Sequence, residues 1–206
     1  MKPSSPSTDR LRIVQVAESI FLSKGFSRVL MDDLATELGM SKKTLYRHFD
    51  SKEALLRAVL KNRIATGEVV LREIVAVKEA FPVKMRKLVH FVHGKISESG
   101  PMFMEDIRRY APGCFEIIEE FRARAIPVYF GTILDEGIAE GYLRPDLQRD
   151  LLIRMLVLSI QGIVRPGVVE QLHLLPTEAL DGILSIVFRG AFTAEGRRLR
   201  PFSPKL

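Results

Sequence analysis

The chain has 206 residues, of which 47% are hydrophobic and 27% charged, a composition typical of a globular protein with a sizeable core. The one cysteine, Cys114, excludes an internal disulfide and is typical of a reducing compartment, so we expect a cytoplasmic protein. The longest apolar stretch, 151–164, is too short and too polar to span a bilayer, and residues 1–9 do not resemble a signal peptide. We therefore expect no membrane partner.

The net charge of +6 is unevenly distributed along the chain. Residues 1–63 carry 12 Lys and Arg against 7 Asp and Glu, whereas residues 64–194 are slightly acidic and residues 195–206 are basic. A basic N-terminal third favours binding to a polyanion. Ordinary fluctuation in composition is an equal explanation for this asymmetry.

The hydrophobic periodicity predicts helices throughout and no strand, so the expected fold class is all-α. The first helix begins near residues 7–9 and ends at Lys24-Gly25, a short helix covers 31–38, and Ser41 caps a third. A long helix begins near residue 52. These elements predict a three-helix head at 1–50 and a body at 51–194, with a frayed basic tail at 195–206.

Proline and glycine divide the remainder of the chain. Their positions predict further helices at about 83–98, 102–110, 114–139, 147–164 and 177–193.

The segment from Met31 to Phe49 carries the most specific pattern. Ala35 is small where two helices must cross, Gly39 permits the sharp turn of a helix-turn-helix, and Leu45 anchors the second helix. The exposed face of that second helix keeps side chains suited to phosphates and base edges. They are Ser41, Lys42, Lys43, Thr44, Arg47 and His48.

Four stretches, GF at 25–26, MDDLA at 31–35, GMSKKTLYRHF at 39–49 and SKEAL at 51–55, closely resemble the N-terminal signature of TetR-family regulators. The resemblance implies a transcriptional regulator that binds a palindromic double-stranded DNA operator as a homodimer, and a small apolar effector that releases it. In the repression mechanism that it implies, a ligand in the body favours a conformation whose two heads no longer match successive major grooves.

The resemblance also implies roles for individual residues. Ser41 would cap the recognition helix with its amides facing phosphate, and Lys42, Lys43 and Thr44 would lie deepest in the major groove. Phosphate contacts would come from Tyr46, His48 and Lys52, although Tyr46 could instead be a core aromatic.

Two positions depart from the family pattern. Leu30 stands where a small polar residue often begins the second helix, so Ser27 or Arg28 is expected to supply the phosphate contact. Lys43 stands where glycine is common, so no base preference can be transferred.

The stretch from Phe81 to Phe130 holds 6 of the 12 Phe and 3 of the 7 Met, which suits either an adaptable apolar cavity or a plain helical core. The resemblance favours an effector pocket here. Arg154, inside an apolar run, is expected to be a buried guanidinium that pairs with an acidic side chain of the fold or with an acidic effector. The candidate lining residues are Met102, Phe103, Arg108, Phe115, Tyr129, Phe130 and Arg154.

The two last long helices have apolar stripes too wide for one neighbour, which predicts a four-helix homodimer interface. The candidate interface residues are Leu151, Met155, Leu158, Gly162, Leu184, Val187 and Phe188.

Other functions have little support in the sequence. His90 and His93 share a helical face but lack further metal ligands, and Cys114 is more simply a buried thiol than a redox sensor. We expect no catalytic residue, cofactor or metal site. The alternatives to a ligand-responsive repressor are a constitutive DNA-binding protein, whose body serves only for dimerisation or partner binding, and, with no positive feature, a helical enzyme.

Overall fold

A computed structural model of the chain describes residues 6–199, apart from the side chains of residues 6, 7, 100, 101 and 199. Within this range the chain forms ten α-helices, and a single isolated β-bridge joins Leu143 to Phe192. The helices are α1 (Pro6–Lys24), α2 (Met31–Glu37), α3 (Lys42–His48), α4 (Lys52–Ala76), α5 (Phe81–Tyr110), α6 (Pro112–Ala125), α7 (Gly131–Ala139), α8 (Arg149–Ile163), α9 (Pro166–Gln171) and α10 (Pro176–Ala191). The predicted all-α class is confirmed.

The chain forms two compact units. We call residues 6–66 and 102–121 the head unit and residues 67–101 and 122–199 the body unit. This division differs from the expected boundary near residue 50, because Phe103, Ile107 and Cys114 are buried in one hydrophobic core with α1 to α4. The head is therefore larger than the N-terminal motif.

The body unit contains one close helix approach and one tightly held turn. A Cβ at Gly137 would lie 2.6 Å from the ring of Phe81, so only glycine fits between α7 and the start of α5. After α7, the backbone of Arg144 donates to Ala191 O at 3.0 Å and its guanidinium donates to Gly190 O at 3.0 Å. These bonds fix the end of α10.

Three expectations about the elements are wrong. Helix α5 continues through Gly100 and Pro101, because both of its ends are anchored by buried side chains such as Met85 and Ile107, and packing outweighs the local helix-breaking preference. The predicted helix 114–139 begins at Pro112 and is divided by a π-helical turn at Ile126–Phe130, whose wider geometry accommodates Pro127.

The third wrong expectation is that the tail is frayed from residue 195 onward. Residues 196–199 form a 3₁₀ turn, and Gly196 N donates to the Thr193 hydroxyl at 3.0 Å, so this part is held to the body unit. Residues 200–206 of the predicted tail lie outside the described range. Within residues 6–199 no helix combines the length and apolarity that a bilayer crossing requires.

Candidate nucleic-acid interface

A tight turn joins α2 to α3. Gly39 adopts φ +64°, a left-handed conformation that side-chain-bearing residues rarely take. Met40 N donates to Ala35 O at 3.0 Å, which closes the end of α2. Leu45 is fully buried and anchors α3 to the head core. The segment is a helix-turn-helix, as the spacing predicts.

Ser41 begins α3 by capping it. Its hydroxyl oxygen accepts a hydrogen bond from Thr44 N at 3.1 Å and lies 2.8 Å from the Thr44 hydroxyl oxygen. The cap fixes the first turn of α3, so the side chains that follow leave the helix in defined directions.

The outward face of α3 is mostly cationic. Lys42, Lys43 and Arg47 are exposed, whereas Thr44 and His48 are half-buried. Tyr46 is 39% exposed, and Phe49 is buried and occupies the inward position, so Tyr46 is not a core aromatic. The predicted DNA-contacting side chains of α3 are therefore all exposed or half-buried.

Lys42 and Lys43 differ in their surroundings. Lys42 Nζ lies 2.8 Å from Asp32 Oδ1 on α2. The hydrogen bond and the negative charge of Asp32 raise the pKa of Lys42, because they favour its ammonium form. Asp32 also holds the Lys42 side chain in one direction before any ligand is present.

Two arginines of α1 donate hydrogen bonds to backbone carbonyls at the ends of α2 and α3. Arg10 donates to His48 O at 2.6 Å and stacks its guanidinium 4.1 Å from the centre of the Phe49 ring. Arg12 donates to Leu38 O at 3.2 Å. Each satisfies a carbonyl at a helix C-terminus. The sequence contains no local signal for these roles, because the partners are 26 and 38 residues away.

Lys52 does not lie on the α3 surface. Its ammonium donates to Phe26 O at 3.0 Å and Val29 O at 2.9 Å, and it lies 4.4 Å from the centre of the Phe26 ring. Its donors are directed at the loop before α2. This geometry favours a role in holding that loop over the phosphate contact implied by the resemblance.

The candidate effector residues are not brought together. Phe103 is buried in the head core and Phe115 packs against that core, so both are packing residues. Met102 is 66% exposed, and Arg108 is exposed and paired with Glu105 at 3.3 Å.

The other candidates belong to the body unit. Tyr129 donates to Glu68 Oε1 at 3.0 Å and accepts from Arg72 Nε at 3.3 Å, which lowers the pKa of Glu68 through the hydrogen bond of the phenol. The half-buried Phe130 packs edge-on against Phe188. Arg154 is exposed, so the expected buried guanidinium is wrong: it lies on the outer side of α8.

The candidate dimer residues divide into two groups. Leu151, Met155 and Leu158 are at least 50% exposed, and Gly162 is also exposed on the same face of α8. In contrast, two residues of α10 are buried within the subunit, and Val187 is half-buried. The two buried residues are Leu184 and Phe188.

Ile186, which is not among the predicted interface residues, is 76% exposed and lies between the exposed glycines 182 and 190 on α10. Its spacing of four from each glycine places the three on one face and could have revealed it. Helix α8 packs on α10, and we call the exposed apolar residues Leu151, Met155, Leu158 and Ile186 together the α8–α10 face.

The remaining polar candidates have internal partners. His93 Nε2 lies 2.7 Å from Asp181 Oδ1, and no metal-binding cluster occurs among the described residues. Cys114 is buried, and burial raises the pKa of its thiol. A thiol in this environment stays protonated near neutral pH and is unreactive.

A helix-turn-helix with a cationic, capped second helix defines a DNA-binding regulator. A family model described as "Bacterial regulatory proteins, tetR family" matches residues 13–59. This segment of the chain therefore resembles TetR-family regulators.

Comparisons over most of the chain also find similarity to transcriptional regulators. The chain is 25% identical over 162 residues to the HTH-type transcriptional repressor KstR2 of Mycolicibacterium smegmatis, a match that covers 75% of this chain and 77% of the relative. The fold resembles the fatty acid degradation regulator FadR of Bacillus halodurans, with a TM-score of 0.69, 17% identity and coverage of 92% and 98%. It also resembles SmeT in a triclosan complex, with a TM-score of 0.70, 18% identity and coverage of 97% and 96%.

Proposed function

We propose that this protein is a cytoplasmic, ligand-responsive repressor that binds a palindromic operator as a homodimer. The observation that carries the proposal is the outward surface of α3, where Lys42, Lys43 and Arg47 are exposed on a helix whose first turn is fixed by Ser41. A rigid cationic helix of this kind suits entry into a major groove.

Individual roles follow from the positions of the side chains. Lys42 and Lys43 are the candidates for base edges, with Thr44 beside them. Tyr46, Arg47 and His48 are the candidates for phosphates that set the register. Lys42 is paired with Asp32 and would have to give up this ion pair to contact a base. Lys43 is therefore the better candidate for a base contact.

The α8–α10 face supports the homodimer. It presents Leu151, Met155, Leu158 and Ile186 to solvent, and the exposed Gly162 allows close helix approach. Several large apolar side chains exposed on two packed helices are costly in water and are typical of an interface. A two-fold dimer would place two α3 helices on half-sites about 34–36 Å apart.

Effector binding is the least constrained part of the proposal. Its support is the triclosan complex of SmeT, whose fold resembles that of this chain. Arg154 is exposed, so it does not specify an acidic effector. A thermal-shift screen of hydrophobic acids and hydrophobic cations, followed by operator release, tests this part. Hits that do not release DNA would support the constitutive alternative.

Selection of duplexes from a random pool by the full-length protein tests the DNA-binding proposal. The expected result is an enriched palindrome with half-site centres one helical turn, or a multiple of it, apart. Enrichment of an unpaired half-site would contradict the dimeric arrangement. Recovery of unselected sequence would contradict specific recognition.

A further inference from the structure

The loop of residues 25–30, which joins α1 to α2, is held by two charged side chains of the head unit. Asp106 Oδ2 of α5 accepts a hydrogen bond from Ser27 N at 2.8 Å. The Lys52 ammonium donates to Phe26 O and Val29 O at 3.0 and 2.9 Å. A carboxylate and an ammonium therefore both bond to the backbone of the loop.

Gly25 makes the approach of Asp106 possible. Its φ of +85° is a left-handed conformation, and a Cβ at this position would lie 3.3 Å from Asp106 Oδ2. Any side chain here would meet both backbone strain and the carboxylate. The loop conformation and the position of Asp106 are thus fitted to each other.

The electrostatics of the two holding groups are coupled. Burial lowers the pKa of Lys52, and the negative charge of Asp106 opposes this effect. The bond from Ser27 N to a carboxylate is charge-assisted and stronger than a neutral one. Loss of Asp106 would therefore remove an anchor of the loop and a counter-charge of Lys52.

The loop carries side chains that are accessible to solvent. Arg28 is exposed, Ser27 is half-buried, and Leu30 begins α2, with its N–H bound to Asp33 Oδ2 at 3.0 Å. Helix α2 in turn packs against α3. A displacement of the loop would move a cationic side chain and the first helix of the helix-turn-helix together.

We propose that Asp106 is a positioning residue for operator binding, whose carboxylate acts with Lys52 to fix the 25–30 loop so that Arg28 meets a DNA phosphate. This inference rests on the proposed DNA-binding function. It assigns to α5, outside the N-terminal motif, a direct influence on operator affinity.

The test compares Asp106→Ala, Asp106→Asn and the matched control Glu105→Ala in the full-length protein. Glu105 is the adjacent carboxylate and pairs with Arg108 at 3.3 Å on its own helix. Operator affinity is measured by fluorescence anisotropy across a range of salt concentrations, and the Ser27 amide is followed by ¹⁵N–¹H NMR.

We expect Asp106→Ala to weaken operator binding about ten-fold, because a hydrogen bond to a charged group is lost. Asp106→Asn, which keeps an acceptor oxygen, should weaken it about three-fold, and Glu105→Ala less than about two-fold. The slope of log affinity against log salt should become shallower by about one unit in Asp106→Ala, because one phosphate contact is lost. The Ser27 amide should exchange faster with solvent.

A purely structural role would lower the folded fraction without changing the salt slope. Asp106→Asn guards against a failure of the alanine variant to fold, since the asparagine has nearly the same shape. Folded Asp106 variants with the parent affinity and salt slope would overturn this inference alone. A parent protein that binds no duplex would contradict the proposed function and this inference with it.

Discussion

The head unit and the body unit differ in the surfaces that they present to solvent. On α3 of the head, the exposed side chains are Lys42, Lys43, Arg47 and Tyr46, three of which are cations. On α8 and α10 of the body, they include Leu151, Met155 and Ile186, which are apolar and at least 50% exposed. A cationic surface suits a polyanion and an apolar surface suits a protein partner. The chain thus presents two surfaces of different chemistry, which suit the two partners of the proposed function.

The largest expected effect is on the apolar surface. Ile186→Glu should convert a dimer into a monomer of about 23 kDa in light scattering, the mass of one chain. Burying the isoleucine contributes about 1.5–3 kcal/mol per subunit, and the two-fold axis applies the loss twice. Operator affinity should fall by about 100-fold or more.

Val69→Glu is the matched control, because Val69 is 52% exposed on α4 and lies outside the α8–α10 face. It should remain dimeric. A dimeric Ile186→Glu variant, or two monomeric variants, would show that the apolar surface is not the specific interface.

The two surfaces were not equally predictable. The helix-turn-helix could be read directly, because Gly39, Ser41 and Leu45 act on neighbours within a few residues. The hydrogen bond from Arg10 to His48 O could not be predicted from the sequence, because it depends on packing between distant segments.

In the part of the chain after residue 66, the residue type predicted that a side chain is buried but not which side chains it packs against. Phe103 and Phe115 were expected in an effector pocket and instead pack in the head unit, because the end of α5 and most of α6 belong to that unit. Arg154 was expected to be buried from its apolar neighbours in sequence, but the helical rotation places it outside.

The second largest expected effect is on the free energy of unfolding and concerns Phe103 in the core of the head unit. Phe103→Ala should destabilise the protein by about 3–5 kcal/mol in urea unfolding, because the ring is 97% buried and its removal leaves a cavity. Met102→Ala, at an adjacent residue that is 66% exposed, should change stability by less than about 0.5 kcal/mol. Equal effects of the two substitutions would contradict the packing role of Phe103.

A smaller effect is expected at Cys114 in the same core. Its thiol pKa is raised by burial, so labelling by a disulfide reagent at pH 8 should be about 100-fold slower in the folded protein than in urea. The same shift contributes stability below the ordinary thiol pKa, and that stability is lost as the pH rises through the raised value. Fast labelling of the native protein would indicate that this core opens readily.

The smallest effect concerns the start of α2. Leu30 has N-cap geometry, with φ −99° and ψ 153°, and its side chain makes no capping bond. Leu30→Thr should stabilise the fold by about 1 kcal/mol, because a hydroxyl would complete the box begun by Asp33. Leu30→Ala is the control and should give no gain. A loss of stability in the threonine variant would mean that the exposed leucine packs usefully.

The central claim is that α3 reads the operator through Lys42 and Lys43. The direct measurement is the affinity of Lys42→Ala/Lys43→Ala for the selected palindrome and for a scrambled duplex of equal length. Lys61→Ala on α4 is a matched exposed control. Each lysine that reads a base should cost about 1–3 kcal/mol on the palindrome and much less on the scrambled duplex, so the ratio of the two affinities should fall. A double variant that keeps the parent ratio would contradict the account.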